Sequence, residues 1–486
     1  MPRSFSVTHA PSAPFTSGLL AARVHNLFPL QEREATMDVM TPLGKLARLL
    51  RVAAALSIAS GLIVALPAQA QLRLPTLPLP AGRGLDTGAI LRNSERPLES
   101  LPQPSRSLRV RELLRRHPDV IETDPLGEPI VRGEVLALSP STETLAALGA
   151  AGFTVIRERG LEGLDTRVVA LRPPAGVAIA EALERLRALD PGGAYDFNHL
   201  YSESGAVTAP ESVGTPLPAS AAAAASARAG ASSNATRIGL IDGGIDRTAL
   251  ALNDSTVVAW GCSGRNVPSA HGTAVASLMV GHAGRFRGAA PAAELYAADV
   301  YCDDATGGAV DTIVDALSWL ARQQVPVINL SLVGPPNRML ERIIQALIGR
   351  GHLVVAAVGN DGPAAPPLYP ASYAGVIGVS AVDARQHVLP EAARGPQVAF
   401  AAPGADMVAA AGGAPGYVLV RGTSFAAPLV AGLLATMLHK TDPPDAQRAV
   451  AELARSAVDL GSAGKDPIFG YGLVGMAIRV DPSRVP

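Results

Sequence analysis

Arg237-Ile238-Gly239-Leu240-Ile241-Asp242-Gly243-Gly244 is the stretch on which the fold turns. Residues 237–241 read as a buried apolar strand that runs directly into an Asp-Gly-Gly turn. Working outward, the same grammar repeats. Residues 294–300 read as a second strand, followed by a loop (303–309), an amphipathic helix (310–323) and a third strand (325–332). Residues 352–358 make a fourth strand that ends in Gly359-Asn360, and 374–382 a fifth. Apolar strands alternating with amphipathic helices are the sequence form of a parallel sheet covered on both faces, so the expected class is α/β, in three layers with a mainly parallel central sheet. Ligands in such folds sit beyond the carboxyl ends of the strands, where Asp242 and Asn360 both stand.

Three local motifs carry chemistry only in combination. Asp242 alone is more often a turn residue than an acid. His271-Gly272-Thr273 opens a helix (274–280), where a lone histidine is usually a cap. Gly422-Thr423-Ser424 opens a long apolar helix (425–438), where a serine is usually the N-cap. Acyl transfer by serine, however, needs a hydroxyl nucleophile, an imidazole to take its proton, and a buried carboxylate to fix the imidazole tautomer. The order Asp…His…Ser differs from the two other orders in which such triads occur, and the Gly-x-Ser-x-Gly elbow of α/β-hydrolase esterases is missing.

Residues 236 to about 482 resemble a subtilisin-type serine protease, a subtilase. The matching segments are Ile241-Asp242-Gly243, His271-Gly272-Thr273-Ala274-Val275-Ala276, Ile328-Asn329-Leu330-Ser331-Leu332, Ala357-Val358-Gly359-Asn360, Ala402-Pro403-Gly404, Gly422-Thr423-Ser424-Phe425-Ala426-Ala427-Pro428 and the closing Gly470-Tyr471-Gly472-Leu473-Val474. The resemblance implies a serine endopeptidase with Asp242, His271 and Ser424 as triad and Asn360 as the oxyanion-hole side chain. It also implies a substrate cleft lined by Ser331, Leu332, Val333 and Gly334 and by Ala357, Val358 and Gly359, with an extended peptide bound as an added strand. No cofactor or metal is expected. The family's familiar calcium loop reads Gly281-His282-Ala283-Gly284-Arg285-Phe286-Arg287-Gly288 here, with two arginines and no acid where six to eight oxygens would be wanted. Ala274, Phe425 and Leu429 also depart from residues common in the family, without touching proton chemistry.

The rest of the 486-residue chain frames this domain. With 48% hydrophobic residues, and 41 Lys+Arg against 42 Asp+Glu, it can bury a core and offers no basic surface for nucleic acid. Residues 52–66 form a largely apolar run of 15, preceded by Lys45, Arg48 and Arg51 and followed by Ala68-Gln69-Ala70, the pattern of a signal peptide. As a helix that run rises only about 22 Å, short of the roughly 30 Å of a hydrocarbon core, so cleavage and export to the periplasm or beyond are expected, with no stable membrane anchor. Met37 or Met40 is an alternative start. Residues 1–70 are therefore extension and signal, and 71–107 a proline-rich spacer. Residues 108–204 form a small α+β (ferredoxin-like) domain, 205–235 an alanine- and serine-rich linker, and 236–486 the catalytic domain. The small domain's strand-helix-strand-strand-helix order and its size resemble the family's inhibitory propeptide; a permanent substrate- or partner-binding domain is the competing reading. The linker is where a protease would cut. Cys262 and Cys302, the only cysteines, are expected to form a disulfide in an oxidising compartment.

Two other functions fit the same residues less well: a catalytically silent subtilase fold used as a binding module, and a secreted esterase. Polypeptides are the expected substrates, with the small domain as intramolecular inhibitor or chaperone. Asp361, next to Asn360, is expected at the rim of the primary pocket, favouring basic residues there.

Overall fold

The computed structural model describes residues 106–207, 236–413 and 416–484. The expected signal peptide, all of the proline-rich spacer but Arg106 and Ser107, and the linker beyond Val207 lie outside the described residues.

The first elements build an antiparallel sheet. Helix α1 (Arg106–Arg116) leads into β1 (Ile121–Thr123), β2 (Pro129–Leu138), α2 (Thr142–Ala150), β3 (Thr154–Leu161), β4 (Thr166–Arg172), α3 (Ile179–Leu189) and β5 (Ala194–His199). The strands run in the order β1-β2-β4-β3, with β5 also paired to β2, all antiparallel. Ser141 starts α2 as its N-cap, its hydroxyl accepting the Thr144 N–H at 3.1 Å. Side chains alternate across the sheet, and both faces are buried. Val135, Ala137, Val169 and Leu171 meet α2 and α3 in one core, whereas Leu136, Val168 and Ala170 join a core shared with the following domain. The ferredoxin-like order expected from sequence is completed by β5, which the polar Asp196, Asn198 and His199 had hidden.

Two short strands follow, β6 (Ser202–Glu203) and β7 (Ala206–Val207), and then β8 (Arg237–Asp242), β9 (Val257–Gly261) and α4 (Ala270–Val280). A hairpin of β10 (His282–Ala283) and β11 (Phe286–Arg287) occupies the segment where a calcium loop would lie. The chain continues through β12 (Glu294–Asp299), α5 (Val310–Arg322), β13 (Val327–Leu330), β14 (Leu332–Val333), α6 (Arg338–Gly349), β15 (Leu353–Ala357), β16 (Ile377–Val382), β17 (Val398–Pro403), β18 (Met407–Ala410), β19 (Tyr417–Arg421), α7 (Thr423–Ala435) and α8 (Pro443–Ser456). Seven strands form one parallel sheet in the order β17-β16-β15-β13-β8-β12-β9. Leu353, Val355 and Ala357 face α4 and α7, while Val354, Ala356 and Val358 face α5 and α6. Both faces being covered, β15 reads as a continuous apolar run, as parallel strands do. The result is the three-layer α/β architecture expected. No helix among the described residues is long and apolar enough to cross a membrane.

Cys262, just after β9, and Cys302, three residues after β12, are joined in a disulfide that closes a loop of sequence separation 40. In the chain-entropy account such a crosslink stabilises by about 4 kcal/mol. A Cys262→Ala/Cys302→Ala variant should therefore melt several degrees lower than the oxidised protein in calorimetry; equal melting temperatures would show that the bridge contributes nothing to the fold.

Candidate active site

Strand β8 ends in Asp242, whose side chain is fully buried and whose Oδ1 accepts the Gly243 N–H at 2.7 Å. Helix α4 starts earlier than its apolar run suggested, because Ser269 caps it by accepting the Gly272 N–H at 2.8 Å. That places His271 in the first turn, aimed at the sheet's carboxyl end. His271 Nδ1 lies 2.9 Å from Asp242 Oδ1, and Nε2 lies 3.0 Å from Ser424 Oγ. The imidazole also packs on the Phe425 ring, 5.2 Å between centroids. In the neutral imidazole, Nδ1–H donated to the carboxylate leaves Nε2 as the acceptor facing the serine hydroxyl, the tautomer a general base needs.

Ser424 is the second residue of α7, and its surroundings explain the Gly-Thr-Ser…Pro sequence. Gly422, the N-cap, has φ 138°, and a Cβ there would meet Gly205 Cα at 2.8 Å and Asn360 Nδ2 at 3.0 Å. Pro428 has no N–H, so the Ser424 carbonyl four residues earlier lacks its helical donor. Ser331 Oγ supplies one at 3.0 Å and is itself held by Asn329 Nδ2 at 2.8 Å. Asn360 is fixed from the other side: its Oδ1 accepts the Thr423 N–H at 3.0 Å, while Thr423 Oγ1 accepts the Gly359 N–H at 3.1 Å. Since Oδ1 is engaged by a donor, Nδ2 is the end presented beside Gly422 and Gly205. Buried amides normally find partners. Nδ2 has none here, and a carbonyl oxygen gaining negative charge at this spot would be one.

The cleft is filled by the protein's own chain. Tyr201 donates its backbone N–H to the Gly308 carbonyl at 2.8 Å. Strand β6 pairs antiparallel with β14, Ser202 opposite Val333 and Glu203 opposite Leu332, and Ser204 N–H points to the Ser331 carbonyl at 3.4 Å. Past Gly205 the chain pairs with β19, Ala206 opposite Arg421 and Val207 opposite Val420. Between these two pairings it crosses the serine: a Cβ on Gly205 (φ 145°) would lie 2.3 Å from Ser424 Oγ. Of the residues expected to line the cleft, Ser331, Leu332 and Val333 thus hold this segment through backbone pairing, and Gly334 carries the Tyr201 ring. Ala357 and Val358 have their side chains in the two cores, and Gly359 spends its N–H on Thr423. Asp361 accepts the backbone N–H of Arg106 at 3.3 Å. Glu203, Ser204 and Gly205 were not singled out from sequence, because a Ser-Glu-Ser-Gly run with strand partners more than a hundred residues away reads as the end of the small domain passing into the linker.

Burial alone would push the His271 imidazole down, but the Asp242 and Glu203 charges, the Asp242 hydrogen bond and the Ser204 backbone outweigh it and raise it to about 9. Burial raises the Glu203 carboxyl and nearby Asp242 adds to that, against the pull of His271. Burial also raises Asp299, whose Oδ1 accepts the N–H groups of Tyr301 at 3.0 Å and Cys302 at 2.9 Å.

Residues 233–472 match the subtilase family. The minor extracellular protease Epr of Bacillus subtilis is 31% identical over 255 residues, which are 50% of this chain and 38% of that protein's length. Subtilisin BL of Lederbergia lenta is 32% identical over 249 residues, 50% of this chain and 90% of its own. Among solved structures, fervidolysin of Fervidobacterium pennivorans superposes with a TM-score of 0.58 at 19% identity, covering 74% of this chain and 62% of that one, a likeness of fold. With nine-tenths of a subtilisin matched at this identity, on a seven-stranded parallel sheet of the expected three-layer form, the chain belongs to the subtilase family of serine endopeptidases.

Proposed function

We propose that this endopeptidase is exported as a zymogen and hydrolyses peptide bonds through Asp242, His271 and Ser424, cutting first its own Ser204–Gly205 bond. Ser424 Oγ attacks the carbonyl carbon of the residue before the cut while His271 Nε2 takes the hydroxyl proton. The carbonyl oxygen becomes an anion, met by Asn360 Nδ2 and by the backbone N–H groups at the start of α7. As the oxyanion collapses, the C–N bond breaks, and the proton passes from His271 to the departing amine. Water then repeats the sequence on the acyl-enzyme and restores the hydroxyl. Asp242 keeps the imidazole in the required tautomer and offsets its charge.

The observation that carries the reading is the path of residues 201–207: strand-paired on both sides of Ser424, with Gly205 against Oγ. The module of β1 to β5 fits the part of an inhibitory propeptide, since β5 supplies caps to two helices of the protease. Asn198 Oδ1 accepts the Asp311 N–H of α5 at 3.2 Å, and Asp196 Oδ2 the Arg338 N–H of α6 at 2.7 Å. Arg157 adds charged bonds to Glu134 at 2.8 Å and Asp311 at 2.7 Å.

The test separates this reading from a silent binding module and from an esterase. Chain freed of its N-terminal segment should take up a fluorophosphonate on Ser424 and turn over both a peptide amide and the matching ester. No adduct would favour the binding module, and turnover of the ester alone the esterase.

A further inference from the structure

We propose that Glu203 is a brake on self-cleavage: its carboxylate, lying beside the imidazole, withholds the base that Ser424 needs and so slows the cutting of the Ser204–Gly205 bond. The inference rests on the reading that this chain cuts itself there.

The carboxylate is placed by strand pairing. Glu203 stands opposite Leu332 in the antiparallel β6–β14 pair, and its Oε1 lies over Gly243, where an added Cβ would come within 3.0 Å of it. The same oxygen is 4.0 Å from His271 Nδ1 and accepts from Ser269 Oγ at 3.5 Å. Nδ1–H therefore sits between two carboxylates, Asp242 at 2.9 Å and Glu203. One negative charge is what a triad imidazole needs to tolerate becoming positive during the reaction; a second beside it before the reaction starts favours the imidazolium in the resting state. An imidazole already protonated cannot take the serine proton.

Four elements and the tail of residues 201–207 present groups to the imidazole or to its second carboxylate. Asp242 comes from β8, Ser424 and the Phe425 ring from α7, and Glu203 with the Ser204 backbone from the tail. Glu203 in turn feels Asp242 and Asp299, both of which oppose its ionisation, and Arg109 of α1 attracts it together with Asp361. Arg109 thus favours the charged form that the brake requires. Glu203 is carried by the fragment that leaves, so the brake acts on the first cut and is gone from the enzyme that results. Self-cleavage should then be slow near neutrality and rise toward about pH 9, where the imidazole loses its proton.

The test follows self-cleavage of the full chain from about pH 6 to 10 in wild type, Glu203→Gln and Ser424→Ala. Glu203→Gln, which keeps shape and hydrogen bonding but not charge, should cut about tenfold faster at pH 7, its half-maximal pH lying at least about one unit lower, since one unit of the imidazole's pKa is tenfold in free base at pH 7. An unmoved midpoint, with Ser424→Ala uncut, would overturn the brake alone. Cleavage of Ser424→Ala would instead overturn the underlying reading. Should Glu203→Gln fail to fold, processed wild-type enzyme can be given the peptides Tyr-Ser-Glu-Ser-Gly-Ala-Val and Tyr-Ser-Gln-Ser-Gly-Ala-Val. The Glu peptide should show the higher kcat midpoint; equal midpoints would overturn the proposal.

Discussion

Ser424→Ala protein should accumulate as the uncut chain, in a host without other proteases that act on it, while wild type divides in two. The variant would keep the start of α7, because Asn360 Oδ1 accepts the Thr423 N–H, Thr423 Oγ1 accepts the Gly359 N–H and Ser331 Oγ donates to the Ser424 backbone carbonyl, none of which uses the Ser424 hydroxyl. The fold and the seating of residues 201–207 should therefore survive, and the loss should be chemical. Its size, roughly 10⁶-fold in turnover, was established on a subtilisin and is carried over to this relative. Gel analysis of freshly folded chain checks it: a variant that is cut at the wild-type rate has another nucleophile at work, or another enzyme.

Asn360→Ala should fold, bind peptide with little change and turn over far more slowly. The amide is held by one end only: Oδ1 receives the Thr423 N–H, and Nδ2 has no partner in the resting site. A group kept unsatisfied in a buried place costs stability, so its removal should not harm the fold much beyond the Thr423 contact. What disappears is a donor aimed at the oxyanion, which exists only as Ser424 attacks. A loss confined to that state lowers kcat and leaves KM almost unchanged. The expected drop, roughly 10²- to 10³-fold or about 2.7 to 4 kcal/mol, is again a value measured on a subtilisin and carried over. Active-site titration with kcat and KM determination decides the matter: near-normal turnover in the folded fraction, with a lowered melting temperature, would make Asn360 a structural residue.

Much of this site was legible because its residues stand at ends of strongly patterned elements. Asp242 and Asn360 follow apolar strands buried on both faces, and His271 and Ser424 open helices so apolar that their position in the core was evident. The boundaries slipped where capping decides them. Ser269 starts α4 at Ala270, ahead of the apolar run, and the Pro428 that is harmless near the start of α7 gave no hint that Ser331 would donate to the carbonyl it frees. Strand β5 was missed because three of its six buried residues are polar, each satisfied by a partner distant in sequence: Asp196 and Asn198 by helix N-termini, His199 by Asp124 and Asn337. Helix α1, Arg-rich and adjoining the spacer, offered only the short apolar stripe Val110, Leu113 and Leu114, yet it brings Arg109 to Asp361 and Glu203. The tail was hidden for the same reason as β5. Strand addition recognises backbone, so Ser202 to Val207 need no apolar alternation to lie in the cleft. Asp361, expected at the rim of the primary pocket, accepts a backbone N–H of the N-terminal module, a partner that no local pattern in the sequence foretold.

The most direct measurement is the mass of the earliest fragments formed by wild-type chain, taken beside Ser424→Ala under the same conditions. The account predicts one fragment ending at Ser204 and one beginning at Gly205, both missing from the variant. First-formed ends at any other bond, or the same ends from Ser424→Ala, would contradict it.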